Sequence, residues 1–315
     1  MITALGEILI DYTSMGKSEA GMDLFEQNAG GAPANVLACI SKLGVQTAFI
    51  GKVGDDMQGR FLKDTLIDAQ IDVTGLVVDK NYFTTLAFVT LSETGERDFS
   101  FARKPGADTM LTKKEISTSL LQQAKIFHFG SLSLTHEPSR EATYEAIKTA
   151  KKYALISYDP NYRELLWESK EAAIEQMRKP LPYVDMIKIS EEECELMTGE
   201  TDIYKACKIL MMQGIKIVVI TLGEKGALVG VDGETNIVEG FVADVVADTT
   251  GAGDAFWGGF LYCIYNDSDN LTIDKLCEYA KFGNAVASLC VEKFGAIKAM
   301  PSLGEVKNRM LQGER

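Results

Sequence analysis

The chain has 315 residues, 46% of them hydrophobic, and a formal net charge of −13. That is enough apolar material for a large core, as one big α/β domain with an appendage or as two domains, and too acidic for nucleic acid or a membrane surface to be the main partner. No apolar run nears the ~20 residues that a membrane span requires, and the first residues lack the basic segment of a signal peptide. Cys39, Cys194, Cys207, Cys263, Cys277 and Cys290 form no C-x-x-C pair, which suits a reduced, cytoplasmic protein. The only two histidines, His128 and His136, argue against a histidine-rich zinc site or a conventional histidine triad.

In chain order, residues 2–10 read as a buried strand, 11–29 as a polar, glycine-dotted excursion and 33–43 as a helix opened by Pro33. A strand at 47–53 and a helix at 60–69 follow. Residues 84–103 alternate like antiparallel strands, through Leu86, Phe88, Phe99 and Phe101. Then come a strand at 126–130, a helix at 139–153, strands at 155–160 and 186–190, a helix at 203–213 and a strand at 216–222. The apolar run 241–246 reads as a further strand, ahead of helical patterns at 255–265 and 273–292. Short apolar strands alternating with helices predict a parallel, doubly wound sheet. Residues 11–29 and 84–103 predict a small sheet projecting from it.

Two nucleotide motifs are decoys. Met15-Gly16-Lys17-Ser18 ends like a P-loop, but Asp11 stands where the first glycine belongs and no helix follows. Gly251-Ala252-Gly253 opens like a dinucleotide fingerprint, yet Phe256 occupies the position of its last glycine, late in the chain, which argues against a nicotinamide dehydrogenase.

The segment Asp248-Thr249-Thr250-Gly251-Ala252-Gly253-Asp254 carries the most chemistry. At a strand-to-helix junction the amides of the first turn are unpaired and the helix dipole is positive, which attracts an anion. Gly251 and Gly253 allow close approach to the backbone. Asp254 alone would serve as a helix cap. Two glycines ahead of it and a second carboxylate at Asp248 point instead to an anion hole with a base beside it.

This segment is similar to the second signature of the ribokinase-like (PfkB-type) carbohydrate kinases, and Gly30-Gly31-Ala32-Pro33-Ala34-Asn35 resembles the first. The resemblance runs through Tyr158-Asp159-Pro160-Asn161-Tyr162-Arg163, Ile187-Lys188-Ile189-Ser190-Glu191-Glu192-Glu193 and Thr221-Leu222-Gly223-Glu224-Lys225-Gly226, covering nearly the whole chain. Residues 96–108 and 127–133 resemble segments of the fructokinase subgroup.

The resemblance implies a three-layer α/β/α domain over 1–315, with a lid from about 11–29 and 84–103 inserted in it. It implies transfer of phosphate from MgATP to the C6 hydroxyl of D-fructose, with a 2-keto-3-deoxygluconate kinase or another sugar or riboside kinase as the alternative. A non-catalytic sugar-binding regulator would have no use for a base at the anion hole. Asp254 is then the general base, Gly251, Ala252 and Gly253 supply the anion hole, and Arg163 steadies the transferred group unless it sits in a buried structural salt bridge. Asp11, Gly30, Gly31 and Asn35 hold the sugar, with Phe99, Phe101 and Arg103 closing over it from the lid. Thr221, Gly223 and Gly226 cradle ATP, Lys188 offsets phosphate charge and Asn284 meets adenine or ribose. Glu193, in an N-x-x-E motif whose Asn is Ser190 here, acts on Mg²⁺ through water. Asp248 and Thr250, with backbone near Cys290, Lys293 and Gly295, hold a monovalent cation such as K⁺; alternatively Asp248 only caps the loop. The lid implies a homodimer.

Overall fold

The computed structural model describes residues 1–91 and 97–312, with the side chains of 90–99 outside the description. The first elements are β1 (Ile2–Leu5), β2 (Leu9–Lys17), β3 (Asp23–Gly30), α1 (Ala32–Lys42), β4 (Thr47–Gly54), α2 (Met57–Asp68), β5 (Ile71–Asp79), β6 (Leu86–Leu91) and β7 (Arg97–Ala102). There follow α3 (Thr118–Gln123), β8 (Ile126–Gly130), α4 (Ser139–Ala150), β9 (Leu155–Asp159), α5 (Lys170–Arg178), β10 (Met186–Ser190), α6 (Glu193–Thr198) and α7 (Ile203–Met212). The chain closes with β11 (Ile217–Thr221), β12 (Ala227–Val231), β13 (Glu234–Val238), α8 (Ala252–Asn266), α9 (Ile273–Cys290) and α10 (Leu303–Gln312).

The large sheet runs β13-β12-β11-β10-β9-β8-β1-β4-β5. From β11 to β5 every pairing is parallel, and β12 and β13 add an antiparallel hairpin at one edge. Covered strands explain the unbroken apolar runs. In β11, Ile217 and Val219 face one apolar layer, with α1, α8 and α9, while Val218 and Ile220 face the other, with α4 and α7. The predicted three-layer α/β/α core is the observed one.

The second sheet runs β3-β2-β6-β7, with β2 and β6 parallel and the other pairs antiparallel. Alternation gives it two different faces. Tyr12, Phe25 and Phe88 form an aromatic cluster on one side, with Tyr12 and Phe88 stacked at 5.3 Å. Asp11 and Asn28 are opposite one another on the other side.

Two predicted strands need correction. Residues 2–10 are not one strand: β1 stops at Leu5, Gly6-Glu7-Ile8 crosses between sheets, and β2 starts at Leu9. All three crossing residues are buried, so hydrophobicity does not mark the break. Gly6 lies against α1, where a Cβ would come within 2.6 Å of Pro33 Cγ. Residues 241–246 form no strand either. Val242, Val245 and Val246 are 90%, 59% and 63% exposed. The amides of Ala247 and Asp248 donate to the Val291 carbonyl, and that of Asp244 to Glu292 Oε1, instead of to a neighbouring strand. The Asp248–Asp254 segment therefore follows a surface loop pinned to the end of α9.

Candidate active site

The residues after β1 and at the ends of β9, β10 and β11 meet the first turns of α1 and α8 at the carboxyl edge of the large sheet, where doubly wound folds place their ligands. The second sheet covers this edge and leaves a cavity of about 590 Å³, a volume typical of small-molecule sites.

Asp254 lies in the first turn of α8, 7% exposed and bordering the cavity. Its Oδ2 accepts a 2.8 Å bond from Asn35 Nδ2 on the first turn of α1. Burial raises its pKa to about 6; Asp159 adds to the rise, and Lys188, Asn35 and Arg163 oppose it. Gly251 caps α8 with φ 78°, a left-handed conformation suited to glycine. A Cβ on Gly253 would stand 3.0 Å from Lys188 Nζ, so this glycine leaves room for an ammonium beside the helix N-terminus. The Ala252 amide donates to Thr249 O over 3.3 Å. One turn along α8, Trp257 Nε1 donates to Ser157 Oγ at 2.9 Å, and Ser157 also bonds His128 Nδ1 at 3.0 Å, fixing the helix on β8 and β9.

Lys188, 6% exposed on β10, pairs with Asp159 Oδ2 at 2.6 Å. Burial alone would lower its pKa; Asp159, Glu193 and Asp254 outweigh that and raise it. Glu193 binds main chain. Its Oε1 accepts the Tyr162 amide at 2.7 Å and its Oε2 the Ser190 amide at 2.8 Å, so it ties the loops after β9 and β10 together, away from the cavity lining. Burial, then Asp159, raises its pKa.

On the sugar side, Asp11 borders the cavity, and burial lifts its pKa to about 6, with Arg163 opposing and Asp248 reinforcing. A Cβ on Gly30 would lie within 2.0 Å of Asp11 Oδ2, and Gly31 adopts φ 122°; both glycines are required by close packing. Phe101 lines the cavity from β7. The Phe99 side chain lies outside the description, although its backbone pairs with Val89. Arg103 is displaced from the expected role. It is 4% exposed, with Nε on Asp108 Oδ2 at 2.8 Å, Nη1 on Thr135 Oγ1 at 3.0 Å and Nη2 on Leu132 O at 2.9 Å. Asp108 also accepts from Thr85 Oγ1, so this network ties both ends of the β6–β7 hairpin to the core.

Arg163 is exposed at the cavity rim, its Nη1 on Tyr162 O, and no buried salt bridge joins it to another of the described residues. Thr221 borders the cavity. Gly223 and Gly226 shape the turn after β11 without lining the cavity, and Gly226 packs against Val238 O, where a Cβ would come within 2.0 Å. Asn284 is buried, its Nδ2 donating to Val238 O and Glu239 O at 3.2 and 2.9 Å, so both amide donors are used within the fold.

Asp248 Oδ1 accepts from the Thr250 amide and Oγ1 at 2.9 and 2.7 Å, and Oδ2 from the Gly295 amide at 3.1 Å. The carboxylate thus staples residues 248–250 to 295, as the loop-cap alternative requires. Among the described residues, no three His, Cys, Asp or Glu side chains cluster to hold a metal ion. Sequence reasoning missed Glu7 and Asp159. Glu7 sits in what reads as a plain strand, and Asp159 was visible only as part of a motif whose partner, Lys188, is 29 residues away.

A model of the pfkB family of carbohydrate kinases matches residues 1–303. Probable fructokinase-5 of Arabidopsis thaliana is 42% identical, with 98% of this chain and 97% of that protein covered. Fructokinase-1 of Zea mays is also 42% identical, over 97% of this chain and 96% of its own. Among solved structures, fructokinase of Xylella fastidiosa with bound ATP superposes with a TM-score of 0.91 at 32% identity, covering 100% of this chain and 99% of that one. A double mutant of fructokinase from Vibrio cholerae O395, bound to fructose, ADP and potassium ion, gives 0.89 at 33% identity, with 98% and 97% covered. With the family's model spanning nearly the whole chain and the Gly30–Asn35 and Gly251–Asp254 segments meeting at one cavity, the protein belongs to the pfkB family of carbohydrate kinases and is an ATP-dependent sugar kinase.

Proposed function

We propose that the enzyme transfers the γ-phosphoryl group of ATP to the C6 hydroxyl of D-fructose, with Asp254 as general base. The observation that carries this reading is a buried carboxylate, its pKa raised to about 6 mainly by burial, facing the cavity from a helix N-terminus. Above that pH Asp254 is ionised and accepts the hydroxyl proton; its surroundings favour the neutral acid that results. The Gly251 to Gly253 turn and Lys188 offer positive potential to the phosphoryl oxygens, the main demand of this chemistry. Arg163 at the rim adds a guanidinium. Mg²⁺ arriving with ATP supplies charge neutralisation at the phosphates. A K⁺ ion would share the Asp248 carboxylate with the Thr250 and Gly295 amides, acting on loop geometry.

The sugar end of the cavity favours a neutral polyol. Glu7, Asp11 and Glu26 line it, while Arg103 is spent on Asp108 and Lys188 on Asp159. A sugar acid such as 2-keto-3-deoxygluconate would bring a carboxylate to acidic walls. The fructokinase names of the relatives point the same way. The aromatic face of the second sheet, with Phe25 41% exposed on β3 and Met22 70% exposed just before it, suits pairing with a second copy of the chain. Six free cysteines suit the reducing cytoplasm.

Asp254→Asn is expected to lose about 10²–10⁴-fold in kcat, while calorimetry still detects fructose and ATP binding; near-normal turnover would contradict the base role. The same variant tests the electrostatics. A carboxyl whose folded pKa is raised from 3.8 to about 6 keeps its proton longer in the native state than in the unfolded one. The native state is therefore penalised progressively between those values and fully above about pH 6. Asp254→Asn should be more stable than wild type by up to about 3 kcal/mol at neutral pH, with the gain fading towards pH 4 in urea titrations. Equal stability at every pH would contradict the raised value. In coupled assays kcat/KM for D-fructose should exceed that for 2-keto-3-deoxygluconate and ribose, with the product phosphorylated at C6 by NMR; fructose ranking below either would overturn the sugar assignment. Sedimentation should give twice the 34.5 kDa chain mass, and a monomer would contradict the lid-based dimer.

A further inference from the structure

Glu7 occupies the crossing between the two sheets, 3% exposed, and borders the cavity. Its Oε1 accepts the Ala32 amide at 3.0 Å, at the start of α1. Its Oε2 is buried and has no hydrogen-bond partner among the described residues. Gly31, the residue before Ala32, packs on the Glu7 main chain so closely that a Cβ would lie 2.4 Å from the Glu7 carbonyl oxygen. The Ala32 bond thus holds the carboxyl group at the start of α1, and the close approach of Gly31 holds the Glu7 main chain.

A buried carboxylate oxygen without a donor costs the native state several kcal/mol, by order of magnitude, and calls for a cause. Arg103 is a cation that acts on Glu7, but its Nε, Nη1 and Nη2 bond Asp108, Thr135 and Leu132. Its effect on Glu7 is electrostatic only. Burial raises the Glu7 pKa to about 7, against the pull of its own amide, Arg103 and the Ala32 amide. Above that pH the group is a charged acceptor in the wall of the cavity. Asn35, one turn into α1, repeats the pattern: Nδ2 is held by Asp254, and Oδ1 is buried without a partner. Two orphaned acceptors beside one helix start match a ligand that presents several hydroxyl donors.

We propose that Glu7 reads the sugar directly: its Oε2 accepts a hydrogen bond from a hydroxyl of fructose other than the one phosphorylated, while Oε1 holds the Gly31–Ala32 turn in place. This rests on the sugar-kinase reading above. A wrong sugar, lacking that hydroxyl, leaves a carboxylate oxygen buried and unpaired, which is how polar sites reject near-analogues. Glu7 therefore acts in specificity, apart from the proton transfer at Asp254.

The test compares wild type and Glu7→Gln on D-fructose and a set of monodeoxy analogues of D-fructose at pH 8. The isosteric amide keeps an acceptor for Ala32 and removes the charge. KM for fructose should rise about tenfold, the difference between a charged and a neutral hydrogen bond, with KM for ATP unchanged. One deoxy analogue, poor for the wild type, should be discriminated about tenfold less by the variant. A purely structural role would lower kcat or stability and leave every discrimination ratio intact, which would overturn the proposal. A crystal structure of wild type with fructose gives an independent reading: a sugar hydroxyl within hydrogen-bond reach of Oε2 supports the assignment, and Oε2 facing no sugar oxygen refutes it. Failure of the wild type to phosphorylate fructose would bring down the functional reading and this one with it. Wild-type turnover with unchanged ratios in Glu7→Gln would remove this one alone.

Discussion

The buried ammonium of Lys188 is the charge around which the site is arranged. It pairs directly with Asp159 at 2.6 Å, and it acts electrostatically on Glu193 and Asp254 as well. One cation cannot satisfy three buried carboxyl groups. Glu193 is compensated by two backbone amides. Asp254 receives a single bond from Asn35 and otherwise faces the cavity. It is therefore the group left with the least compensation, and burial can lift its pKa. The same ammonium stands close to Gly253, where a Cβ would come 3.0 Å from Nζ. Lys188 thus opposes the burial that raises the Asp254 pKa, pairs with Asp159 at the end of β9, and stands beside the helix N-terminus at Gly253.

The second constraint is the joint between the sheets. The main chain crosses it at Gly6–Ile8 and returns through Gly30–Gly31, while the β6–β7 hairpin is fastened at its base by Thr85, Asp108 and Arg103. Both strand crossings are packed too tightly for side chains at Gly30 and Gly31. The cover of the cavity is thus attached to the core through the residues that border its sugar end. On the proposed reading, recognition of the sugar hydroxyls and the position of the cover depend on the same residues, which couples specificity to alignment.

Much of this was legible in the sequence. Strands buried on both faces announce themselves as unbroken apolar runs, so β8 and β10 fall where the pattern puts them. The Gly-Ala-Gly-Asp segment declares its helix N-terminus because glycines followed by a carboxylate serve few other purposes there. The failures have physical causes. Apolar character signals burial in a strand only if the surroundings cover it, and 241–246 lies uncovered on the surface. The break at Gly6–Ile8 is invisible because the crossing is as buried as the strands it joins. Arg103 and Asn284 carry the residue types of ligand contacts, yet their donors are consumed by Asp108, Thr135 and main-chain carbonyls that no local pattern reveals. Glu7 shows the converse: its significance lies in an oxygen that lacks a partner, a property only three dimensions can display.

The account turns on Asp254 being a carboxyl group whose burial outweighs the pull of Lys188 and lifts its pKa to about 6. The most direct measurement is a ¹³C NMR titration of aspartate-labelled enzyme, with the Asp254 carboxyl signal assigned through its loss in Asp254→Asn. A midpoint close to 6 is predicted. A midpoint at or below the ordinary aspartate value of about 3.9 would contradict it.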